Sequence, residues 1–472
     1  MKNLVFILIL FLMTNTMLAQ IFDVEAIKIS GDNDKRINLI ILSEGYTAAQ
    51  LPQFIADANS FTSEMFSQSP FAEYSNYFNV YAIKVPSNES GADHPGSATD
   101  TSEPASPIID VDTYFNATFD AFGFHRLLYY GINFADASSA VTKINSVLAD
   151  NFPTYDQALI IVNSTVYGGS GGEFPIASRA ASANEIAIHE LGHSLFNLKD
   201  EYYPGDALAS EAINMTQETN PSLVKWKNWL GTNGVDIYPY ATSGNAANWN
   251  RPHQNCKMRY LGVPFCAVCK EGIVEKIHDL VSPINSFTPV SNALDNPSLP
   301  IDFNLTLINP IPNTLNSDWT LNGANFSNNS SNISLSDIDL VEGFNALTAV
   351  VTDNNAALLR VDNHEITHVY TVSWSINYSA LSINDITSKT NTYSISMYPN
   401  PAKNLLNLKV ESITESRLKI DIIALDGKKI KTKRISNYQN NQIDISNLSS
   451  GIYVTNFYAN NVLISSRKLL KK

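Results

Sequence analysis

His189-Glu190-Leu191-Gly192-His193-Ser194-Leu195-Phe196-Asn197-Leu198-Lys199-Asp200 is the stretch whose reading decides both the fold of this chain and the chemistry it can hold. His189 and His193 are spaced i, i+4, so on a helix their imidazoles lie one above the other on one face. Two neutral imidazole nitrogens in that relation suit a tetrahedral zinc ion. Glu190 follows the first histidine, where a carboxylate can act as general base toward a zinc-activated water. The flanks predict the helix. Ser182-Ala183-Asn184-Glu185 has the form of a capping box with Ser182 as N-cap, and Ile186, Leu191, Leu195 and Leu198 supply an apolar face at near-helical spacing. The chain has only 8 histidines in 472 residues, so an ordinary amphipathic helix with two surface histidines is the weaker reading.

A catalytic zinc takes three protein ligands and keeps a fourth position open. Zincins that draw the third ligand from the same segment turn sharply after the second histidine, usually at a glycine, and the ligand follows three residues after that glycine. No glycine follows His193 closely. Asn197 is the nearest residue that enters the left-handed region readily. That places Asp200 as the third ligand, with Glu201 as the runner-up; a solvated loop carboxylate is the plain alternative for Asp200.

The run from His189 to Tyr202 resembles the signature of the IgA-peptidase family of zinc metallopeptidases, a branch of the metzincins. Asp200, Glu201 and Tyr202 match the family's Asp-Glu-Tyr, and Asn197 stands where the turn glycine is usual. Leu42-Ser-Glu-Gly-Tyr-Thr47, after the apolar strand Ile37–Ile41, is similar to the family's N-terminal signature. Cys256-Lys-Met-Arg259 with Phe265-Cys-Ala-Val-Cys269 is similar to its Cys-x-Met and Cys-x-x-Cys segment. The resemblance spans residues 25–283. It implies an α/β (α+β) metzincin-like zincin domain with an active-site helix, one catalytic Zn2+, and hydrolysis of peptide bonds in a protein or peptide substrate. It also implies that Met258 packs under the ligating histidines, where a flexible thioether fits; taken alone, Met258 would be a core filler. Tyr260 has the Met-x-Tyr spacing at which some metzincins place a transition-state hydrogen-bond donor.

A net charge of −14 argues against nucleic acid as a partner, because phosphate binding needs a basic surface. Lys2, the apolar run Leu4–Met13 and Met17-Leu-Ala19 read as a secretory signal peptide cleaved after Ala19. That run is too short to span a bilayer, and no later segment is apolar for long enough. The three cysteines, Cys256, Cys266 and Cys269, all fall in one short segment. Export favours a disulfide among them with one thiol over; a zinc held by the three cysteines and His253 is the alternative.

Along the chain, strands are predicted at Ile37–Leu42, Phe78–Val85 and Ala158–Val162, and helices at Gln50–Phe66, Thr142–Phe152 and Glu271–Leu280. Ala158–Val166 with its exit Tyr167-Gly-Gly-Ser-Gly-Gly172 is the candidate sheet edge for an extended substrate; a plain glycine loop is the equal alternative. His94 reads as a loop histidine rather than a ligand. Residues 201–255 are predicted to be irregular. From 284 to 378 short alternating runs separated by turn signals read as an Ig-like β-sandwich. His364 and His368, in that strand context, share no helix face and read as surface residues. Residues 379–395 read as a linker. From Tyr398-Pro-Asn-Pro-Ala402 to Lys472 the chain resembles the Por-secretion C-terminal sorting domain, a small β-sandwich recognised by the type nine secretion machinery of Gram-negative bacteria. Asp426-Gly427-Lys428 is its tight hairpin signal, and the basic end Arg467–Lys472 fits a tail that the machinery reads; a second adhesive module is the alternative.

The expected whole is multidomain: leader 1–19, catalytic domain 20–283, sandwich 284–378, linker 379–395 and sorting sandwich 396–472. It reads as an exported, monomeric zinc endopeptidase, secreted or held at the cell surface. A catalytically weak adhesin on a zincin scaffold, or a zinc amidase acting on cell-wall peptide, are the competing readings.

Overall fold

The computed structural model describes residues 20–100, 107–203, 208–379, 393–412, 417–435 and 441–472. The leader at 1–19 and nearly all of the linker lie outside them. The chain divides into two compact units, Met1–Tyr378 and Ser379–Lys472.

The first unit begins with β1 (Asp23–Lys28), β2 (Ile37–Glu44), α1 (Leu51–Met65), β3 (Phe78–Lys84), α2 (Phe134–Asn151), β4 (Gln157–Val162), β5 (Gly169–Ser170), β6 (Ile176–Ser178), α3 (Ala183–Ser194) and α4 (Ala267–Leu280). The six strands form one sheet in the order β1-β3-β2-β4-β6-β5. β2, β3, β4 and β6 run parallel, while β1 and β5 are antiparallel edge strands. Every residue of β2 is buried, as a parallel strand covered on both faces requires. Its side chains alternate between two cores. Ile37, Leu39 and Ile41 pack with residues of α1, α3 and α4, while Ile40 and Leu42 pack with residues of α2.

α1 buries Phe54, Ala58, Phe61 and Met65 toward that first core, a helical spacing that the sequence displays. α2 begins at Phe134 rather than Thr142, because the Asn133 side chain accepts from the N–H groups of Ala135 and Asp136 and starts the helix earlier. α4 likewise begins at Ala267, with Cys266 at its N-cap position. β4 is not a sheet edge: it lies between β2 and β6, and the last strand on this side is β5, inside the glycine run, where Leu127 in turn bridges Gly169.

Residues 284–378 form a five-stranded and a three-stranded sheet. Phe303 and Leu335 of the smaller sheet share one core with Trp319, Leu347 and Trp374 of the larger. Trp319 and Trp374 stack with ring centroids 5.8 Å apart. This layer is locked to the α/β layer through Asp353, which accepts from the Tyr74 hydroxyl at 2.6 Å and lies 3.0 Å from His278 Nε2 on α4. His364 and His368 correct the sequence reading. They lie at and just beyond a one-turn helix, His364–Thr367, are each only 4% exposed, and pair with Glu275 of α4. Packing against α4 supplies the burial that local strand patterning could not reveal. His94 is also buried, stacked on Phe119 beside Asp120 and His125.

The second unit holds a three-stranded and a four-stranded sheet around one core that includes Leu406, Leu408, Ile420, Ile422 and Phe457. Leu418–Ala424 and Lys429–Ile435 pair antiparallel across the Asp426-Gly427 turn, where Gly427 takes φ +80°. The basic C-terminal end is a strand, Val462–Lys471.

Candidate metal centre

α3 carries the two histidines. Its N-terminus departs from the sequence reading: Ser182 makes no side-chain cap bond. Glu185 is drawn elsewhere, to the buried Lys257 ammonium, to Gln68 at 2.7 Å and to the Gly262 N–H at 2.9 Å. A buried cation outcompetes a capping role, because a lysine 1% exposed must be paired.

The helix ends by turning back on itself. Asn197 takes φ +56°, its N–H reaches the His193 carbonyl at 3.1 Å, and the Leu198 N–H reaches the Gly192 carbonyl at 2.9 Å. The left-handed residue reverses the chain and brings Asp200 under the histidines. Nε2 of His189 and Nε2 of His193 each lie 3.1 Å from the same oxygen, Oδ1 of Asp200.

The tautomers follow from the outer partners. Nδ1 of His189 lies 2.9 Å from the Lys257 carbonyl, and Nδ1 of His193 lies 2.7 Å from the Leu198 carbonyl. A carbonyl only accepts, so each Nδ1 carries the proton and each Nε2 presents a lone pair. Two lone pairs and a carboxylate oxygen then converge on one point. Such an array needs a cation at its centre, and imidazole anchored through its far nitrogen is how proteins prepare a metal ligand. The residues therefore fit a metal ion.

Protons on Nε2 can take the cation's place: burial pushes the Asp200 carboxyl up, but hydrogen bonds and charge from both histidines in that form outweigh it and hold the group at about 2. Burial raises Glu190 above the ordinary carboxyl range; the two imidazoles oppose this and Asp200 reinforces it. His189, Glu190 and His193 present donor atoms within 4.8 Å of one another. Gly171 leaves room for that carboxylate: a Cβ there would lie 2.3 Å from Glu190 Oε2. A cleft of about 490 Å³ opens over the group, lined by Gly172, Glu190, His193 and Asp200 among others.

Met258 is fully buried, and a Cβ on Gly192 of α3 would lie 2.8 Å from its sulfur. It thus packs directly against the histidine helix. Tyr260 is 48% exposed, with its ring under the Arg259 guanidinium at 4.8 Å, and does not line the cleft.

Two predictions change. Glu201 points away from the histidines, fully buried against Cys256, Cys266 and Cys269. The cysteines are free thiols rather than a disulfide pair plus one. His253 is not among that group; it lies 3.1 Å from the Asn233 carbonyl and accepts from Asn255 N–H.

The structure also brings in residues that the motif did not name. Asn214 is fully buried and grips the third-ligand segment, accepting from Lys199 N–H at 2.9 Å and donating to Lys199 O at 2.7 Å. No local sequence signal marks it. Tyr202 stacks loosely near His189, with ring centroids 6.4 Å apart, and its hydroxyl is pushed up by burial and by Asp200. Its place in the Asp-Glu-Tyr run was the available signal.

Among solved structures, the chain is similar to dimeric latent PorU of Porphyromonas gingivalis at 11% identity, covering 40% of this chain and 20% of that one with a TM-score of 0.16. It is similar to the fibronectin(III)-like modules of Clostridium thermocellum CbhA at 10% identity, covering 40% of this chain and 91% of that one with a TM-score of 0.14. The chain thus spans only a fifth of the PorU chain. No curated protein matches. Residues 25–243 match the family model described as IgA Peptidase M64, and residues 396–472 match that of the secretion system C-terminal sorting domain. The sorting domain indicates export, to the cell surface or beyond it, and among the described residues no helix is long and apolar enough to cross a membrane. The chain thus joins a segment similar to the IgA Peptidase M64 family to one that matches the secretion system C-terminal sorting domain.

Proposed function

We propose that the chain is an exported zinc endopeptidase, with His189, His193 and Asp200 as metal ligands and Glu190 as general base. The observation that carries this is the convergence of Nε2 of His189 and Nε2 of His193 on Asp200 Oδ1 at 3.1 Å, beside a half-buried Glu190. When bound, the ion supplies Lewis acidity, lowering the pKa of a water and polarising a carbonyl oxygen.

The chain's own residues do the rest. Lys257 and Leu198 carbonyls hold the two imidazoles in the ligating tautomer. Glu190, its basicity raised by burial, accepts the water's proton as attack on the peptide carbonyl proceeds and returns it to the leaving amine. Leu127 bridges Gly169 on the side away from β6, so the backbone of the glycine run from Gly171 on is what can meet an extended substrate. Gly171 and Gly172 let that substrate approach Glu190 without side-chain obstruction.

We take 20–283 as the catalytic domain, 284–378 as a β-sandwich locked onto it and 396–472 as the sorting domain. Chelator-sensitive cleavage of unfolded protein, run beside cell-wall fragments, tests the reading. Cleavage of the protein alone supports an endopeptidase; release of peptide from cell wall alone replaces it with an amidase.

A further inference from the structure

Glu201, Cys256, Cys266 and Cys269 form another convergence of ligand atoms in this unit, and the one that contains thiols. One oxygen and three sulfurs all lie within 4.8 Å of one another, and all four residues are buried. We propose that they hold a second, structural metal ion, a tetrahedral three-sulfur, one-oxygen site for divalent zinc. It stands independently of the reading of the histidine site.

The spacing is that of a coordination sphere. With zinc–sulfur bonds of about 2.3 Å and zinc–oxygen bonds of about 2.1 Å, tetrahedral ligand atoms sit roughly 3.5–3.8 Å apart. Here Cys256 Sγ is 3.6 Å from Cys269 Sγ and Cys266 Sγ is 3.8 Å from Glu201 Oε1, within that range, while Cys269 Sγ is 3.0 Å from Glu201 Oε1, the shorter separation of a thiol–carboxylate hydrogen bond. Thiolate ligands select zinc over harder divalent ions.

Local structure prepares the sulfurs for negative charge. Cys266 is the N-cap of α4 and Cys269 lies in its first turn, where the helix dipole favours anions. The Cys266 N–H also points at Cys256 Sγ, 3.2 Å away. The carboxylate supplies the independent sign. Glu201 is 0% exposed, and its Oε2 has no hydrogen-bond partner among the described residues. An unpaired carboxylate oxygen in a core is costly unless it meets a cation. Arg251 is near enough to feel the charge, but its Nη1 donates to the Tyr240 carbonyl. A disulfide between two of the cysteines would leave at most one thiol to meet Glu201 Oε1 and would still give Oε2 no partner.

The site also has a mechanical consequence. Glu201 follows Asp200 directly, and its N–H donates to the Met258 carbonyl at 2.6 Å. Cys256 lies two residues before Met258. One ion would therefore staple the segment that presents Asp200 to the methionine turn and to the start of α4.

The test uses the full chain purified without chelator and equilibrated with zinc alone, with bound zinc measured by mass spectrometry. The expected result is two zinc ions in the wild type, one in His189→Ala/His193→Ala and one in Cys266→Ser/Cys269→Ser. X-ray absorption of the double-histidine variant should show sulfur at about 2.3 Å. Thiol titration of the wild type in denaturant and chelator, without reductant, should find three thiols, and it stands even if the cysteine variant fails to fold. A double-histidine variant without zinc or with zinc lacking sulfur neighbours overturns the proposal, as does a wild type that titrates a single thiol.

Discussion

His189 and Lys257 are joined across the centre: the imidazole Nδ1–H donates to the Lys257 carbonyl at 2.9 Å. Lys257 sits between Cys256 and Met258, so one hydrogen bond sets the histidine helix in register with the methionine turn. Its side chain repeats the tie by pairing with Glu185 at the start of α3. The histidine face and the floor beneath it are thus one packed body.

Met258 is the apolar part of that body. It is fully buried, with its sulfur against Gly192. Met258→Ala should destabilise the unit by about 2–5 kcal/mol, as buried methionine truncations do, and should release zinc from the histidine site more readily. Urea unfolding checks the first effect and competition with a chromogenic chelator the second. An unchanged midpoint with unchanged retention would show that Met258 is filler away from the ligands.

Asp200→Asn keeps the size of the third ligand and removes its charge. Changes to residues that merely orient ligands cost about 10–100-fold in metal affinity, so loss at a ligand should exceed that range. Zinc affinity measured by competition decides it. Wild-type affinity in this variant would move the third ligand elsewhere.

Gly171→Ala separates function from folding. The added Cβ would lie 2.3 Å from Glu190 Oε2, and the backbone there is outside the positive-φ region. The flexible carboxylate can swing away at little cost in stability, yet it then leaves its working position. A displacement of about 1 Å costs roughly 100-fold in rate. Peptide hydrolysis should fall by about that factor, while the thermal midpoint and zinc content stay at wild-type values. Undiminished hydrolysis would mean that Glu190 is not held where it works.

The joint between α4 and the sandwich layer gives a pH signature. Burial pushes Glu275 up, but hydrogen bonds and charge from His364 and His368 outweigh it and set the carboxyl at about 2, below its ordinary 4.5. A carboxyl depressed in the fold stabilises above its unfolded value and loses that contribution as pH falls toward 2. His368 is shifted the other way: burial lowers it, but Glu275 and Asp279 win and raise it above 6.5. Its contribution is present below 6.5 and is lost as pH rises through the raised value. Thermal midpoints of wild type and Glu275→Gln should therefore differ most between about pH 4.5 and 6.5 and converge only as pH falls through about 2. A difference that does not change with pH would remove the ion pair from the explanation.

How much of this was legible in the sequence depends on how local each signal is. The two histidines, Glu190 and the left-handed Asn197 are fixed by neighbours within one helix and its turn, and the structure places Asp200 Oδ1 against both imidazoles. The alternation of β2 and the Asp426-Gly427 turn are equally local. What the sequence did not show is long-range pairing. Glu185 abandons Ser182 for Lys257, 72 residues on. His364 and His368 are buried by Glu275 and Asp279 of α4. Glu201 joins cysteines far along the chain. The expected sheet edge ran from Ala158 through the glycine exit, and only its end, β5, lies at the margin of the sheet; a Gly-Ser pair carries no strand pattern, and its place is set by β6 and α3.

Glu190→Gln tests the central claim most directly. The amide is nearly isosteric and cannot accept the water's proton, so hydrolysis of a peptide substrate should fall by about 10²–10⁴-fold, with zinc at the histidine site held at wild-type stoichiometry. Loss of turnover with zinc retained is the expected result; wild-type turnover in the zinc-loaded variant would contradict the assignment of Glu190 as general base.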